Sequence, residues 1–441
     1  MIPEYVLSLL EKLNSAGYEA YPVGGCVRDS LCGVTPHDWD VCTNAFPDEM
    51  KSVFEGFHCI ETGLKHGTLT VMSSGHPVEI TTYRADGDYT DHRRPDSVQF
   101  VRSLKEDLSR RDFTVNALCF DKDGSVIDMF DGQGDLERHI IRCVGDPERR
   151  FEEDALRILR ALRFSSVLDF DIEEKTAAAL RRKAGLLSYV SAERIYTELK
   201  KLLVGVRAGD ILIEYRDVFA VMIPELAECF DVEQHNPHHM YDVYTHICKS
   251  VDSVPPDEIL RLTMMLHDIA KPRCKTTDEQ GIDHFKKHPY VGAEMADEIL
   301  SRLKADNAAR ELICALITEH DNRLAENERS VGRFIAKHSY GFFDKYMLVR
   351  RADTLAQSMY YREEKLRDLD VLNKIRAELE EKSACLTLHD LDLNGRDLIA
   401  LGYEGREIGV TLEMALDGVI SGNCKNDKKE LIEYVKRQSQ Y

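Results

Sequence analysis

The twelve cysteines of this 441-residue chain include no CxxC pair. Their scatter argues against a zinc ribbon and a disulfide framework, so reduced thiols in the cytoplasm are expected. No apolar run is long enough to cross a membrane, so no membrane partner is expected. The first residues lack the basic start and apolar stretch of an export signal. Instead Val6, Leu9, Leu10 and Leu13 fall on one helical face, and Gly17 suits a helix stop. Internal repeats and low-complexity tracts are also missing. Positive charge is scarce, with 58 Lys and Arg against 78 Asp and Glu and a net charge of −20. A nucleic-acid partner would therefore need a local basic surface. Residues 181–216 offer one, with Arg181, Arg182, Lys183, Arg194, Lys200, Lys201, Arg207 and Arg216 against four acids. The alternative is an ordinary solvated helix face. At this length several domains are expected, and the sequence leaves the oligomeric state open.

What is present begins with GGCVRD followed by HDWDVCTNA. Val23 and its neighbours read as a strand, Gly24-Gly25 as a tight turn and Val27 onward as a short helix. The next strand carries Asp38 and Asp40. Alternation turns both carboxylates to one face and Trp39 and Val41 to the core. Two co-facial carboxylates suit a pair of Mg²⁺ ions holding a nucleoside triphosphate. Glycines let backbone N–H groups approach phosphates without a Cβ in the way. Strands are also expected at Glu19–Val23, Thr68–Met72, Val78–Thr82 and Ala117–Phe120. Glu79 shares a strand face with Thr81 and is either a third carboxylate at the site or a surface residue. Arg28 suits a triphosphate contact, and Asp29 either joins it or only braces the turn. The polar stretch RADGDYTDHRRPDSVQF, Arg84–Phe100, reads as a long mobile loop.

Two further stretches are RRDFTVNA, Arg110–Ala117, and EDALRILRALRF, Glu153–Phe164. Arg110 and Arg111 offer cations. Asp112 and Asn116 either contact ribose, or Asp112 pairs with a nearby arginine to fix the loop. On one helix Asp154 and Arg157 share a face, while Leu156 and Leu159 can pack. Cytosine and adenine both present an amine donor beside a ring-nitrogen acceptor; uracil and guanine reverse that order. An acceptor-only aspartate and a donor-only arginine would take the first two and mispair with the others. The alternative is an intrahelical ion pair on a solvated face. Arg160 and Arg163, later on the same helix, are further candidate nucleotide contacts.

These four ordered motifs resemble the nucleotidyltransferase superfamily of DNA polymerase β. In wording they are similar to the tRNA nucleotidyltransferases (CCA-adding enzymes) and bacterial poly(A) polymerases. The resemblance implies template-independent addition of C, C and A to tRNA 3′ ends from CTP and ATP, with Asp154 and Arg157 as an amino-acid template. The DHRRPD stretch is similar to a flexible element that CC-adding members lack. TGLKHGTLTV departs from the IGRRF-type stretch of poly(A) polymerases. A-only addition and poly(A) synthesis stay as alternatives.

The remaining motif set lies further on. His246 stands in YDVYTHICKSVD, His267 and Asp268 in LRLTMMLHDIAKP, His288 in HFKKHPYVGAEMA, His320 in ITEHD and Asp353 in RRADTLAQ. This order resembles the HD phosphohydrolase superfamily, and implies a second divalent, transition-metal site that is either active on phosphoesters or a relic. The rival from another class is thus a phosphohydrolase with the N-terminal part as a binding module. The expected fold is α+β and multidomain. A mixed-sheet, polymerase-β-like head spans 1–138, a helical nucleotide-selecting and RNA-binding neck 139–230, an HD domain 231–380 and a C-terminal helical tRNA-binding tail 381–441. Charge-rich residues around 362–382 read as a solvated helix.

Overall fold

The computed structural model describes residues 2–86, 98–382 and 385–438. Residues 87–97, which include DHRRPD, lie outside the described residues, and so does most of the expected loop. The chain forms two compact units, one up to Ala227 together with Arg302–Ala305 and one from Glu228 to Ser301 and from Asp306 onward.

The first unit opens with the helix Glu4–Ser15, which buries Val6, Leu9, Leu10 and Leu13. Gly17 adopts a φ of 90°, and Tyr18 N–H donates back to the Leu13 carbonyl, a left-handed helix stop that glycine suits. A five-stranded mixed sheet follows: β1 (Ala20–Pro22), β2 (Asp40–Thr43), β3 (Cys59–Ile60), β4 (Thr68–Ser73) and β5 (His76–Thr82), in the order β1-β2-β5-β4-β3. Only the β2–β5 pairing is parallel, and its register sets Asp40 beside Glu79. Along β5, Val78, Ile80 and Thr82 are buried while Glu79 is exposed, the alternation of a half-buried strand. Behind the sheet Val23, Cys42, Tyr83, Leu108 and Cys119 pack together. β6 (Arg84–Asp86) and β7 (Val98–Phe100) pair antiparallel, so the ends of the expected loop are strand.

From Ile140 the chain is helical apart from two small departures. Ile140–Ile141 pairs in parallel with Asp171–Ile172, and Thr276–Thr277 forms a hairpin with Asp283–His284. In the second unit the helices Val243–Asp252, Glu258–Leu266, Asn307–Glu319 and Tyr340–Leu355 carry or flank the histidines. The helix Arg362–Glu381 is not merely a solvated rod. Leu369, Leu372 and Leu379 make a stripe buried against Phe342, Phe343 and Tyr346, a narrow apolar face among many charges. Three C-terminal helices, Gly395–Ala400, Arg406–Ile420 and Lys428–Gln438, enclose a small core of their own around Leu393, Leu398 and Leu431.

Candidate active site and metal centre

In the first unit a cleft of about 330 Å³ is lined by Asp40, Glu79, Arg111, Asp112, Asp154, Arg157 and Arg160, among others. Asp38 departs from expectation: β2 begins only at Asp40, and Asp38 lies in the exposed segment before it. Trp39 and Val41 are buried as expected, at 4% and 1% exposure. Crowding by the surrounding protein, with the Glu79 and Asp38 carboxylates, pushes Asp40 up to about 6, against the pull of Arg111. Asp40 itself is exposed and lines the cleft.

Gly24 has a φ of 82°, and a Cβ there would stand 3.1 Å from the Arg111 guanidinium, so the turn needs a glycine on two counts. Neither Gly24 nor Gly25 lines the cleft. Arg28 is buried and already committed: it donates to Asp29 Oδ1 at 2.6 Å and to Asn116 Oδ1 at 2.7 Å, with its guanidinium over the Phe164 ring. Asp29 thus braces Arg28. Asn116 donates in turn to Asp112 Oδ1 at 3.1 Å, and Arg160 Nε donates to Asp112 Oδ2 at 2.7 Å. Burial opposes ionisation of Asp112, but Arg160, Asn116 and Arg157 outweigh it and hold its carboxyl down at about 2. Of the two alternatives for Asp112, the arginine pairing is the one present, with the partner on the helix Leu156–Leu168. Arg110 and Arg111 both pair with the buried Asp107. Arg163 pairs with Glu198 at 3.2 Å and is not among the cleft-lining residues.

Asp154 and Arg157 do not sit on one helix. Asp154 ends the helix Pro147–Glu153 in an extended conformation, φ −138° and ψ 103°, and the next helix starts at Leu156. The alternative reading, an ion pair between them, is not formed either. Arg157 pairs with Glu153 at 2.8 Å and donates to the Arg110 carbonyl at 2.9 Å. Asp154 accepts from Arg194 at 2.9 Å and from the Leu156 N–H. Both still line the cleft, while Leu156 and Leu159 are buried. The sequence reading did not foresee Glu153 and Arg194 as partners of this pair. Glu153 could have been found four residues before Arg157, whereas Arg194 gives no local signal. The basic stretch is largely compensated: Arg181 pairs with Glu214, Arg182 with Glu148, Lys183 with Glu152, Arg194 with Asp154 and Arg207 with Asp171.

In the second unit all six expected ligand residues converge. His246, His267, Asp268 and Asp353 form one group, and Asp268, His288 and His320 a second, with ligand atoms in each within 4.8 Å of one another. Helix ends bring them together, since His267 and His320 cap the helices Glu258–Leu266 and Asn307–Glu319. Each imidazole is anchored through Nδ1 to a backbone carbonyl: His246 to Ala356, His267 to Met264, His288 to Phe285 and His320 to Ile317. A carbonyl only accepts, so Nδ1 carries a hydrogen and Nε2 is the atom presented inward. The Nε2 atoms of His246 and His267 are 3.3 Å apart, and those of His288 and His320 are 3.1 Å apart. Facing nitrogens of this kind fit shared cations. Burial alone lowers the His267 imidazole, but Asp268 and Asp353 outweigh it and raise it to about 9. Lys271, also missed, lies 2.6 Å from Asp268 Oδ2 and donates to Gln234.

Comparison with known proteins gives three domain matches: Poly A polymerase head domain over residues 20–142, the probable RNA and SrmB-binding site of polymerase A over 169–230, and HD domain over 238–384. The CCA-adding enzyme of Limosilactobacillus fermentum is 52% identical over 197 residues, 45% of this chain and 49% of that one, so such matches span about half the relative's length. The CCA-adding enzyme of Lactiplantibacillus plantarum is 34% identical over 435 residues, 97% of this chain and 94% of its own. Among solved structures, the Bacillus stearothermophilus CCA-adding enzyme in complex with CTP matches with a TM-score of 0.75 at 27% identity, covering 100% of this chain and 98% of that one. The Thermotoga maritima CCA-adding enzyme complexed with tRNA shares the fold, with a TM-score of 0.60 at 22% identity over 99% and 96%. The near full-length match, on top of the two sites, establishes that the chain belongs to the CCA-adding enzyme family.

Proposed function

We propose that the chain adds C, C and A to the 3′ end of tRNA, taking CTP and ATP and releasing pyrophosphate. The observation that carries this reading is one cleft holding Asp40 beside Glu79 together with Asp154 and Arg157. Asp38, Asp40 and Glu79 would hold Mg²⁺, which supplies charge neutralisation for attack of the terminal hydroxyl on the α-phosphate. Arg111 and Arg160 meet the developing negative charge at the triphosphate. Arg28, Asn116 and Asp112 form a brace that fixes Arg160. Catalysis is then positioning and electrostatics more than covalent chemistry. Asp154 accepts the exocyclic amine of cytosine or adenine, and Arg157 donates to the ring nitrogen. Glu153 and Arg194 aim these two groups. The division of labour follows residues 1–138 for catalysis, 139–230 for nucleotide selection, 231–380 for the metal centre and 381–441 for the tRNA body, in the cytoplasm.

The test is a tRNA ending before its CCA, incubated with CTP and ATP separately and together. Extension by two cytidines with CTP alone, and by a further adenosine with both, is expected. Addition of A only to a CC-ended tRNA would make the chain an A-adding enzyme. A ladder of adenosines on any RNA would make it a poly(A) polymerase.

The second unit carries a second reading, favoured by the anchored Nδ1 atoms and inward Nε2 atoms of four histidines. We infer a divalent transition-metal centre there that hydrolyses phosphoesters. When bound, the metal supplies an activated water. Asp268, shared between the two ligand groups, orients both histidine pairs.

A further inference from the structure

Three arginines of the head meet at one aromatic side chain. The guanidinium carbons of Arg163, Arg28 and Arg160 stand over the Phe164 ring, 4.2, 5.0 and 5.3 Å from its centre. Arg160 and Phe164 are four residues apart on the helix Leu156–Leu168, so one helical turn brings them together. Arg28 comes from the helix Gly25–Leu31, and Phe113 of RRDFTVNA meets the same ring edge-on at 5.8 Å. Three of the sequence motifs thus converge on Phe164, which is buried. Carboxylates do not account for this gathering by themselves. Asp29 serves Arg28 at 2.6 Å and Asp112 serves Arg160 at 2.7 Å, but Glu198 reaches Arg163 only at 3.2 Å. Arg163, with the longest of these ion pairs, is also the arginine nearest the ring. Burial pushes its guanidinium down, with Arg160 and Arg28 adding to this against Glu198 and Asp112. Like charges away from water repel strongly, and an aliphatic side chain at 164 would offer nothing against that. An aromatic face carries negative charge density and attracts all three cations.

We propose that Phe164 is a positioning residue for nucleotide addition, whose ring gathers Arg28, Arg160 and Arg163 into one cationic group and holds Arg160 at the triphosphate. The inference rests on the reading of Arg160 as a triphosphate contact. Of the three arginines only Arg160 lines the cleft, so the ring acts on the substrate through it. Asp112 directs the Arg160 guanidinium by hydrogen bonds, and the ring offsets the repulsion from the two cations gathered beside it. The electron density of the ring, rather than its bulk, is then what the polyphosphate senses.

Fluorination of the ring tests this while nearly preserving its packing. In the full chain Phe164 is replaced site-specifically by mono-, di- and trifluorophenylalanine, which keep the shape and strip negative charge from the face in steps. kcat/KM for CTP and ATP is expected to fall stepwise, by about fivefold at the trifluoro ring, while KM for tRNA stays constant. Magnesium pyrophosphate, followed by calorimetry, should lose affinity in the same order. Phe164→Leu should lose about tenfold in both measurements, and Phe164→Tyr should keep most of the unaltered chain's values. A flat response across the fluorinated series overturns the proposal, because ring bulk then suffices. That result stands even where Phe164→Leu fails to fold, since the fluorinated rings are close to isosteric. A stepwise loss that falls equally on tRNA marks a merely structural ring and also overturns it. Arg160→Gln separates the two readings. Unchanged pyrophosphate binding in that variant overturns Arg160 as the triphosphate contact, whatever the fluorinated rings do.

Discussion

The head cleft and the histidine cluster, each proposed to hold divalent cations, are prepared in opposite ways. At the cleft the acids Asp40 and Glu79, with Asp38 in the segment just before β2, are all exposed. In the cluster His246, His267, Asp268, His288 and His320 are 0–6% exposed, and every imidazole is fixed through its outer nitrogen. Open carboxylates suit a weakly held ion that arrives and leaves with substrate phosphates. Buried, pre-oriented imidazoles suit an ion that stays. On the proposed reading one chain would carry a transient and a resident form of metal dependence, each open to disturbance without the other.

The largest expected effect is at the transient site. Asp40→Ala should lower CTP and ATP addition by about a thousandfold, a loss of several kcal/mol of transition-state stabilisation. Hydrolysis at the cluster and retained transition metal should not change. Addition at a tenth of the normal rate would remove Asp40 from the metal-holding role. Next, His267→Ala with Asp268→Ala should weaken transition-metal binding by more than about a hundredfold, read by elemental analysis after dialysis. Nucleotide addition should stay near normal. A folded variant that loses addition would show that the two sites are not independent.

Smaller effects sharpen the head itself. Arg157→Ala should relax discrimination against UTP and GTP by about ten- to a hundredfold in kcat/KM, the cost of one mispaired buried polar group. A common drop for all four nucleotides would make the Asp154–Arg157 set structural. The smallest effect is a pH dependence. Asp40 has its folded value raised to about 6, so its proton is retained by the folded chain as pH falls through that value. Mg²⁺ must displace that proton, so its affinity should be about fourfold weaker at pH 5.5 than at pH 7.5. By the same sign, any stability owed to this group is present below its unfolded value and lost as pH rises through about 6. A flat Mg²⁺ titration across this range would place the crowding elsewhere.

Much of this was legible before the structure, and the rest was hidden for physical reasons. Strand alternation located Trp39 and Val41 in the core and Glu79 facing out, because a period of two has few competing readings. The six ligands of the cluster were legible as residue types, although not the sharing of Asp268, which is a matter of three dimensions. The helix break at Asp154 was not legible, since EDALR has no proline or glycine to mark it. Arg194 lies forty residues from its partner, beyond any periodic rule. The leucines of Arg362–Glu381 were outnumbered by charge, so composition masked a stripe that spacing would have revealed.

Asp268 belongs to both candidate ligand groups, and that single carboxylate would make their loading interdependent. An ion on the first group would draw electron density from the carboxylate that the second must also use. Two ions would therefore fill in sequence with unequal affinities, and a titration would show two separated steps. At limiting metal the population would be dominated by singly loaded chains.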